Sequence, residues 1–247
     1  MLKEERQAYI IKQLNLHNKV LSSDLSIELN VSEDTIRRDL NELADNGKLL
    51  KVYGGALSKS FHYTYEHQEI YAKEGKKTIA EKALSLINDG MTILTGGGTT
   101  LQELARIIPE GLQCTFFTIS PIMAMELAER TNAEVILLGG QIKRQTNVCI
   151  GSQVINQLSE LKVDLCLLGT NSLSVEEGVT DSDWEVVQIK KAMIRCSQKV
   201  AILSITEKLN SVQKMKVCGL NNIHYLITDS TSANPILQGF ARVVKVL

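Results

Sequence analysis

Two groups of residues in this chain have the types and spacings to do chemistry. The first is cationic: Arg37 and Arg38, then Lys48 and Lys51, with hydroxyls from Ser32, Thr35 and Tyr53 among them. Guanidinium and ammonium groups bind phosphate oxygens and guanine edges, and hydroxyls hydrogen-bond the sugar-phosphate backbone, so this set suits nucleic acid. The second group is built on glycine. Gly96-Gly97-Gly98-Thr99-Thr100, Thr118-Ile119-Ser120, Gly139-Gly140-Gln141-Ile142-Lys143-Arg144 and Gly169-Thr170-Asn171 each follow an apolar run. Unhindered backbone N–H groups and hydroxyls at the start of a helix can cradle a phosphate. The stretch from Gly96 is neither a dinucleotide fingerprint nor a P-loop, and alone it fits a plain glycine turn equally well. Four such turns, with Lys143, Arg144, Lys190 and Lys208 near them, favour an anion site.

The cationic group needs a helix to present it. Ser32 suits an N-cap, and Val31 before it can staple onto Ile36. Ile36, Leu40 and Leu43 recur at helical spacing and form one buried stripe, leaving Glu33, Thr35, Arg37 and Arg38 to point elsewhere. Gly47 supplies the stop. Upstream, Leu21 to Leu29 reads as a short helix capped by Ser22 or Ser23, with Leu25, Ile27 and Leu29 as apolar contacts and Asn30 in the turn. Glu4 to Leu16 reads as another, through Tyr9, Ile10, Leu14 and Leu16. Three short helices with a tight turn before the last form a helix-turn-helix, whose final helix enters the major groove. Lys48 to Tyr53, ending at Gly54-Gly55, reads as a small hairpin or wing.

The glycine turns need a sheet. From Lys76 onward, amphipathic helices (78–87, 100–108, 121–130, 151–161 and 184–197) alternate with short apolar runs (91–94, 114–117, 134–138, 163–168, 200–203 and 225–227). That alternation predicts an α/β domain with a largely parallel sheet covered on both faces, whose ligands gather at the carboxyl ends of the strands. The domains expected are a winged helix-turn-helix over 1–57, a connection over 58–75 and a body over 76–247. Phe61, Tyr63, Tyr65 and Tyr71 in the connection are expected to dock on a domain.

Composition narrows the classes. With 44% hydrophobic and 22% charged residues, the chain reads as an ordinary globular protein. No apolar run is long enough to cross a bilayer and no signal-peptide pattern opens the sequence, so a cytoplasmic location without membrane contact is expected. Five scattered cysteines, never in a C-x-x-C pair, point to buried free thiols and to no metal site. Residues 1–58 carry eight Lys/Arg against nine Asp/Glu. DNA binding must therefore rest on the placement of Arg37, Arg38, Lys48 and Lys51, multiplied in a homodimer or homotetramer.

The string Val31-Ser32…Thr35-Ile36-Arg37-Arg38-Asp39-Leu40…Leu43…Gly47-Lys48-Leu49…Lys51-Val52-Tyr53-Gly54-Gly55-Ala56 closely resembles the signature of the DeoR family of bacterial repressors of sugar metabolism. It departs mildly at Lys51 and Tyr53, where the family more often has Arg and His. The body resembles the family's effector-binding domain, itself similar in fold to ribose-5-phosphate isomerase and glucosamine-6-phosphate deaminase. The resemblance implies that a phosphorylated sugar or related metabolite binds across Gly98, Thr99, Thr100, Gly139, Gly140, Gly169, Thr170 and Glu185, with Lys190 and Lys208 matching family lysines. Gly97, Lys143 and Asn171 join them from the turns themselves. Where the family commonly has Asp, Asn and Asp, this chain has Gly96, Ile119 and Ser204, so a carboxylate and an amide that hold sugar hydroxyls are missing.

The function expected is a transcriptional repressor of a carbohydrate-utilisation operon, without cofactor, whose head reads operator DNA under control of a ligand in the body. One of Arg37 and Arg38 is expected on a guanine edge and the other on phosphate, with Ser32, Thr35, Lys51 and Tyr53 positioning the backbone. Two rivals stand beside it. An isomerase or deaminase with an accessory head would need a general base. Asp181, Asp183 and Glu185 are available, but none of His17, His62, His67 and His224 lies in a strand-end turn. The other rival is a regulator whose body only oligomerises.

Overall fold

The computed structural model describes residues 1–17, 19–58, 71–144, 146–231 and 233–247. They fall into two compact units, Met1–Tyr71 and Ala72–Leu247. Phe61, Tyr63, Tyr65, His62 and His67 of the connection lie outside the described residues.

The first unit runs α1 (Lys3–His17), β1 (Lys19–Leu21), α2 (Ser22–Leu29), α3 (Glu33–Asp45), β2 (Leu50–Val52) and β3 (Gly55–Leu57). Its core is the helical stripe Ile36, Leu40 and Leu43 packed with Ile10, Leu14, Leu25, Leu49 and Ala56, and Val31 packs against it as the staple requires. Each large aliphatic side chain buried there stabilises the unit by roughly 1.5–3 kcal/mol. Ser32 caps α3, its Oγ accepting the Thr35 N–H at 3.3 Å. Gly47, at φ +67°, ends the helix, with Gly47 N–H on Ala44 O and Lys48 N–H on Leu43 O, both 2.8 Å. Those two bonds are a Schellman closure.

Two local expectations fail. Neither Ser22 nor Ser23 caps α2, which follows directly from strand residue Leu21 with no side-chain cap. Ile27 is 80% exposed, because only Leu25 in that short helix turns fully inward. The wing forms as β2 and β3, and β1 adds a third strand by pairing with β3. Gly55 makes that pairing possible, since a Cβ there would stand 2.0 Å from the Val20 carbonyl oxygen.

The second unit opens with α4 (Lys73–Leu84), which starts five residues before the helix expected from Thr78. It continues with β4 (Thr92–Thr95), α5 (Thr99–Ile107), β5 (Thr115–Thr118), α6 (Pro121–Arg130), β6 (Glu134–Leu137), β7 (Gln141–Lys143), β8 (Val148–Ile150), α7 (Ser152–Ser159) and β9 (Val163–Gly169). Then come β10 (Ser172–Ser174), β11 (Gly178–Asp181), α8 (Trp184–Arg195), β12 (Ser197–Leu203), β13 (Met215–Cys218), β14 (Tyr225–Ile227), α9 (Gln238–Ala241) and β15 (Lys245–Val246). Seven strands form one sheet in the order β15-β14-β12-β9-β4-β5-β6, and every pairing in it is parallel. Two antiparallel additions were not in the sequence reading: the hairpin β7-β8 and the sheet β10-β11-β13. Leu94, Cys166, Leu168, Ile202 and Leu226 of the sheet pack with Val154, Leu158, Val187 and Met193 of α7 and α8.

The chain leaves β4 toward β5 and β6 on one side, then returns to lay β9 on the other. In a parallel sheet such a reversal opens a crevice at the carboxyl ends of the two flanking strands. Gly96–Gly98 and Gly169–Asn171 are the turns that leave those ends. No helix among the described residues is long and apolar enough to cross a membrane.

Candidate functional site

In the head, α3 exposes Arg37 and Arg38 opposite its buried stripe, while Lys48, Lys51 and Tyr53 are exposed on the wing and before it. The two arginines differ. Arg37 is paired with Asp34 one turn back, whereas Arg38 has no ion-pair partner among the described residues. Lys51 donates to the side-chain oxygen of Asn41, so the wing reaches across to the helix. Ser32 Oγ and Thr35 Oγ1 are engaged with each other at 2.9 Å. Asp39, which follows the arginines, is buried and forks onto Arg6.

In the body, the turns after β4 and β9 meet. Gly96 N–H donates to Leu167 O at 3.1 Å, and a Cβ on Gly169 would lie 3.7 Å from the Gly97 carbonyl oxygen. Gly98, at φ +111°, opens α5 with no side-chain cap, leaving its first N–H groups to other partners. Ser120 caps α6 by accepting the Met123 N–H at 3.4 Å. The other two turns do not lead into helices: Gly139-Gly140 enters β7 and Gly169–Asn171 enters β10. The helix-terminus argument therefore applies to Gly97, Gly98, Thr99 and Thr100 and not to Gly139, Gly140, Gly169, Thr170 or Asn171.

Charges gather at the same end of the sheet. Lys208 Nζ donates to Thr170 O at 3.1 Å, and Lys190 Nζ to Asp181 Oδ2 at 2.8 Å. Asn171 Nδ2 donates to the other oxygen of Asp181 at 3.2 Å. Burial pushes the Lys208 ammonium down to about 7, helped by the like charges of Lys76 and Lys190. Burial likewise takes Lys76 down to about 8 against the pull of Glu103 and Glu207. Burial raises the Asp181 carboxyl, but Lys190 and the donors around it outweigh this and hold it below the ordinary range. Lys143 bridges the β7-β8 hairpin to the start of α8, at 2.7 Å from Glu185 and 3.0 Å from Asp183. Asp183 is also the N-cap of α8, whose first residue, Trp184, is exposed. An ammonium held below its usual pKa by burial, and in Lys208 also by neighbouring ammoniums, is stabilised in its charged form by an arriving anion.

Several participants escaped the sequence reading. Lys76 sits with Ile79, Ala80 and Ala83 at helical spacing, a stripe that signals its burial, but a helix expected only from Thr78 left it out. Thr95 Oγ1, at the end of β4, is buried with no hydrogen-bond partner. The three departures are packed as core or turn: Leu168 Cδ2 lies 3.3 Å from where a Cβ on Gly96 would be, Ile119 joins the core, and Ser204 Oγ donates to Ile205 O. His224 is structural, its Nδ1 accepting the Val200 N–H at 3.2 Å. All five cysteines are free, with Cys114, Cys149 and Cys166 buried.

A family model described as the DeoR C terminal sensor domain matches residues 72–230, and one described as the DeoR-like helix-turn-helix domain matches residues 6–61. The HTH-type transcriptional regulator GlpR of Haloferax volcanii is 34% identical over 234 residues, covering 94% of this chain and 91% of that one. The lactose phosphotransferase system repressor of Staphylococcus epidermidis is 31% identical over 235 residues, covering 93% of each. Among solved structures, ribose 5-phosphate isomerase A of Methanocaldococcus jannaschii overlies 54% of this chain and 53% of its own, with a TM-score of 0.41 and 18% identity.

Proposed function

Because this chain belongs to the DeoR family, we propose that it is a transcriptional repressor of a carbohydrate-utilisation operon, controlled by a phosphorylated sugar bound to its second unit. The head lays α3 in the major groove, with Arg38 on a guanine edge and Arg37 on phosphate once it leaves Asp34. Lys48, Lys51, Tyr53, Ser32 and Thr35 position the duplex backbone. In the body the phosphate takes the Gly97-Gly98-Thr99-Thr100 turn and the ammoniums of Lys190 and Lys208. Gly139, Gly140, Lys143, Gly169, Thr170, Asn171 and Glu185 line the remainder.

One observation carries this reading: the turns after β4 and β9 meet at the strand-order reversal beside Lys208, an ammonium depressed to about 7 by burial and by Lys76 and Lys190. A ligand regulates only if it binds the DNA-competent and incompetent arrangements with different affinity. The protein acts in the cytoplasm as a homodimer or homotetramer, because few cations per head make repeated half-sites necessary. It is not an enzyme on this reading; among the described residues, no histidine stands in a strand-end turn to serve as base. The test is to incubate the purified full chain with a panel of sugar phosphates, following both binding and turnover, and to repeat operator binding with each ligand that binds. Binding without turnover that changes operator affinity supports the repressor. Turnover supports the enzyme, and no binding at all supports a body that only oligomerises.

A further inference from the structure

The wing touches the recognition helix through a side-chain contact whose polarity is fixed by chemistry. A lysine ammonium has donors and no acceptor, so the group that Lys51 contacts on Asn41 must be the amide oxygen. Asn41 Nδ2 then keeps both of its protons for another partner, and Lys51 keeps two of its three. Both residues are exposed.

Asn41 also has the right place on α3. At 3.6 residues per turn, it lies about 40° around the helix from Arg37 and about 60° from Arg38, between the two. The buried stripe of Ile36, Leu40 and Leu43 faces the other way. A helix entering the major groove with both arginines forward carries Asn41 in with them.

We propose that Asn41, held by Lys51 of the wing, reads a base, and that the pair presents its remaining donors to the O6 and N7 acceptors of a guanine. This rests on the DNA-binding reading of the head, adds to it a specificity residue, and moves Lys51 from the duplex backbone to a base. Guanine is the base whose major-groove edge offers two adjacent acceptors, which is what two donor groups require. Without Asn41, Lys51 is free to turn to phosphate. The pair thereby converts a cation with no sequence preference into part of a readout.

The experiment uses the full chain with a pool of duplexes carrying a randomised central segment. Wild type, Asn41→Ala, Asn41→Asp and Lys51→Ala are selected in parallel, and the salt dependence of binding is measured on the duplex that wild type selects. Folding is checked by thermal unfolding. Asn41→Ala is expected to lose preference for guanine at one position per half-site and, with Lys51 released to phosphate, to steepen the salt slope by about one. Asn41→Asp, which keeps an oxygen for Lys51 but lacks the amide donors, is expected to favour cytosine there, whose N4 amine donates to a carboxylate. Lys51→Ala is expected to weaken the same preference. If Asn41→Ala and Asn41→Asp keep the wild-type preference at every position, Asn41 reads no base and the proposal is overturned. If wild type itself selects no sequence, while duplex binding is lost in high salt, the DNA-reading role of the head fails first and the proposal with it.

Discussion

Asp39 of the recognition helix is gripped by Arg6 of α1 through two hydrogen bonds of 2.5 and 3.1 Å, with side chains only 3% and 12% exposed. The contact sorts the charges of Arg37-Arg38-Asp39: the acid turns inward and both cations stay out. It also removes Arg6 from the charge available to DNA, holding that guanidinium above even its usual pKa, chiefly through the hydrogen bonds to Asp39.

Breaking this pair should unfold the head far more readily than breaking a surface pair. Asp39→Ala leaves a part-buried guanidinium without its partner, which costs about 1–3 kcal/mol. Lys3→Ala removes only the exposed bridge to Glu42 at 2.6 Å, and such pairs contribute about 0–1 kcal/mol. Chemical denaturation followed by a probe in the head measures both. Equal midpoints for the two variants would show that the Arg6–Asp39 contact is no more than surface decoration.

The two exposed arginines should fail differently. Arg38→Ala is expected to cost about 1–3 kcal/mol in operator binding and to relax the sequence preference. Arg37→Ala is expected to weaken binding to all sequences alike and to lower the salt slope by about one, net of the Asp34 charge it leaves behind. Titrations on cognate and scrambled duplexes at several salt concentrations separate the two. A loss of preference in Arg37→Ala alone would exchange their assignments.

Lys208 makes the body sensitive to pH in two opposite senses. Its folded pKa is about 7, against about 10.4 in an unfolded chain. Between those values the unfolded chain binds the proton that the folded one has shed. Stability therefore rises with pH across that window, and below about pH 7 the cost of the buried charge is felt in full. An anion bound at Lys208 raises that pKa again, so binding a sugar phosphate near pH 7.5 should take up protons. Calorimetry in buffers of different ionisation enthalpy reads the uptake. Lys208→Met should abolish it, and an undiminished uptake would place the proton elsewhere.

Glycines near the crevice should separate strain from surface. Gly98 has φ +111° with open space where a Cβ would go, so Gly98→Ala adds backbone strain of about 1–3 kcal/mol and disturbs the first turn of α5. Gly140→Ala would drive a Cβ to 2.6 Å from Ile150 O and 2.7 Å from Val154 Cγ2, a collision that displaces the β7-β8 hairpin. Gly111→Ala meets no atom within 4 Å and serves as a neutral control. Thermal unfolding should rank Gly111→Ala as mildest. If Gly98→Ala matches the control in both stability and ligand binding, the turn after β4 is not the cradle.

How much of this was legible in the sequence follows the range of the interactions concerned. The cap at Ser32, the Val31 staple, the Ile36–Leu40–Leu43 stripe and the Gly47 stop all act within five residues, and each lies where its spacing places it. Six of the seven parallel strands were legible because each is a short apolar run; the edge strand Lys245–Val246, two residues long, was not. Pairings set by distant partners were not. Lys19–Leu21 is a strand only because Gly55–Leu57 lies beside it, and Ser172–Ser174, Gly178–Asp181 and Met215–Cys218 form their sheet across about forty residues of chain. Ser22 and Ser23 have the chemistry of caps, yet the strand at Leu21 runs straight into the helix. In the candidate site, the glycine turns were legible as turns, but the burial of Lys76, and the consequent effect on Lys208, depends on how α4 packs. The contact between Asn41 and Lys51 joins helix to wing and leaves no trace in local periodicity.

The exposed first residue of α8 has a practical consequence. Trp184 is the chain's single tryptophan, and it adjoins Glu185, which Lys143 grips from the hairpin. Indole emission from the unmodified protein therefore originates at one spot, the start of α8 beside the Lys143–Glu185 contact, while the described tyrosines of the first unit are Tyr9, Tyr53 and Tyr71. A natural fluorophore already adjoins Glu185 and Lys143 of the proposed ligand site, and ligand titrations can be followed by its emission without attaching a dye.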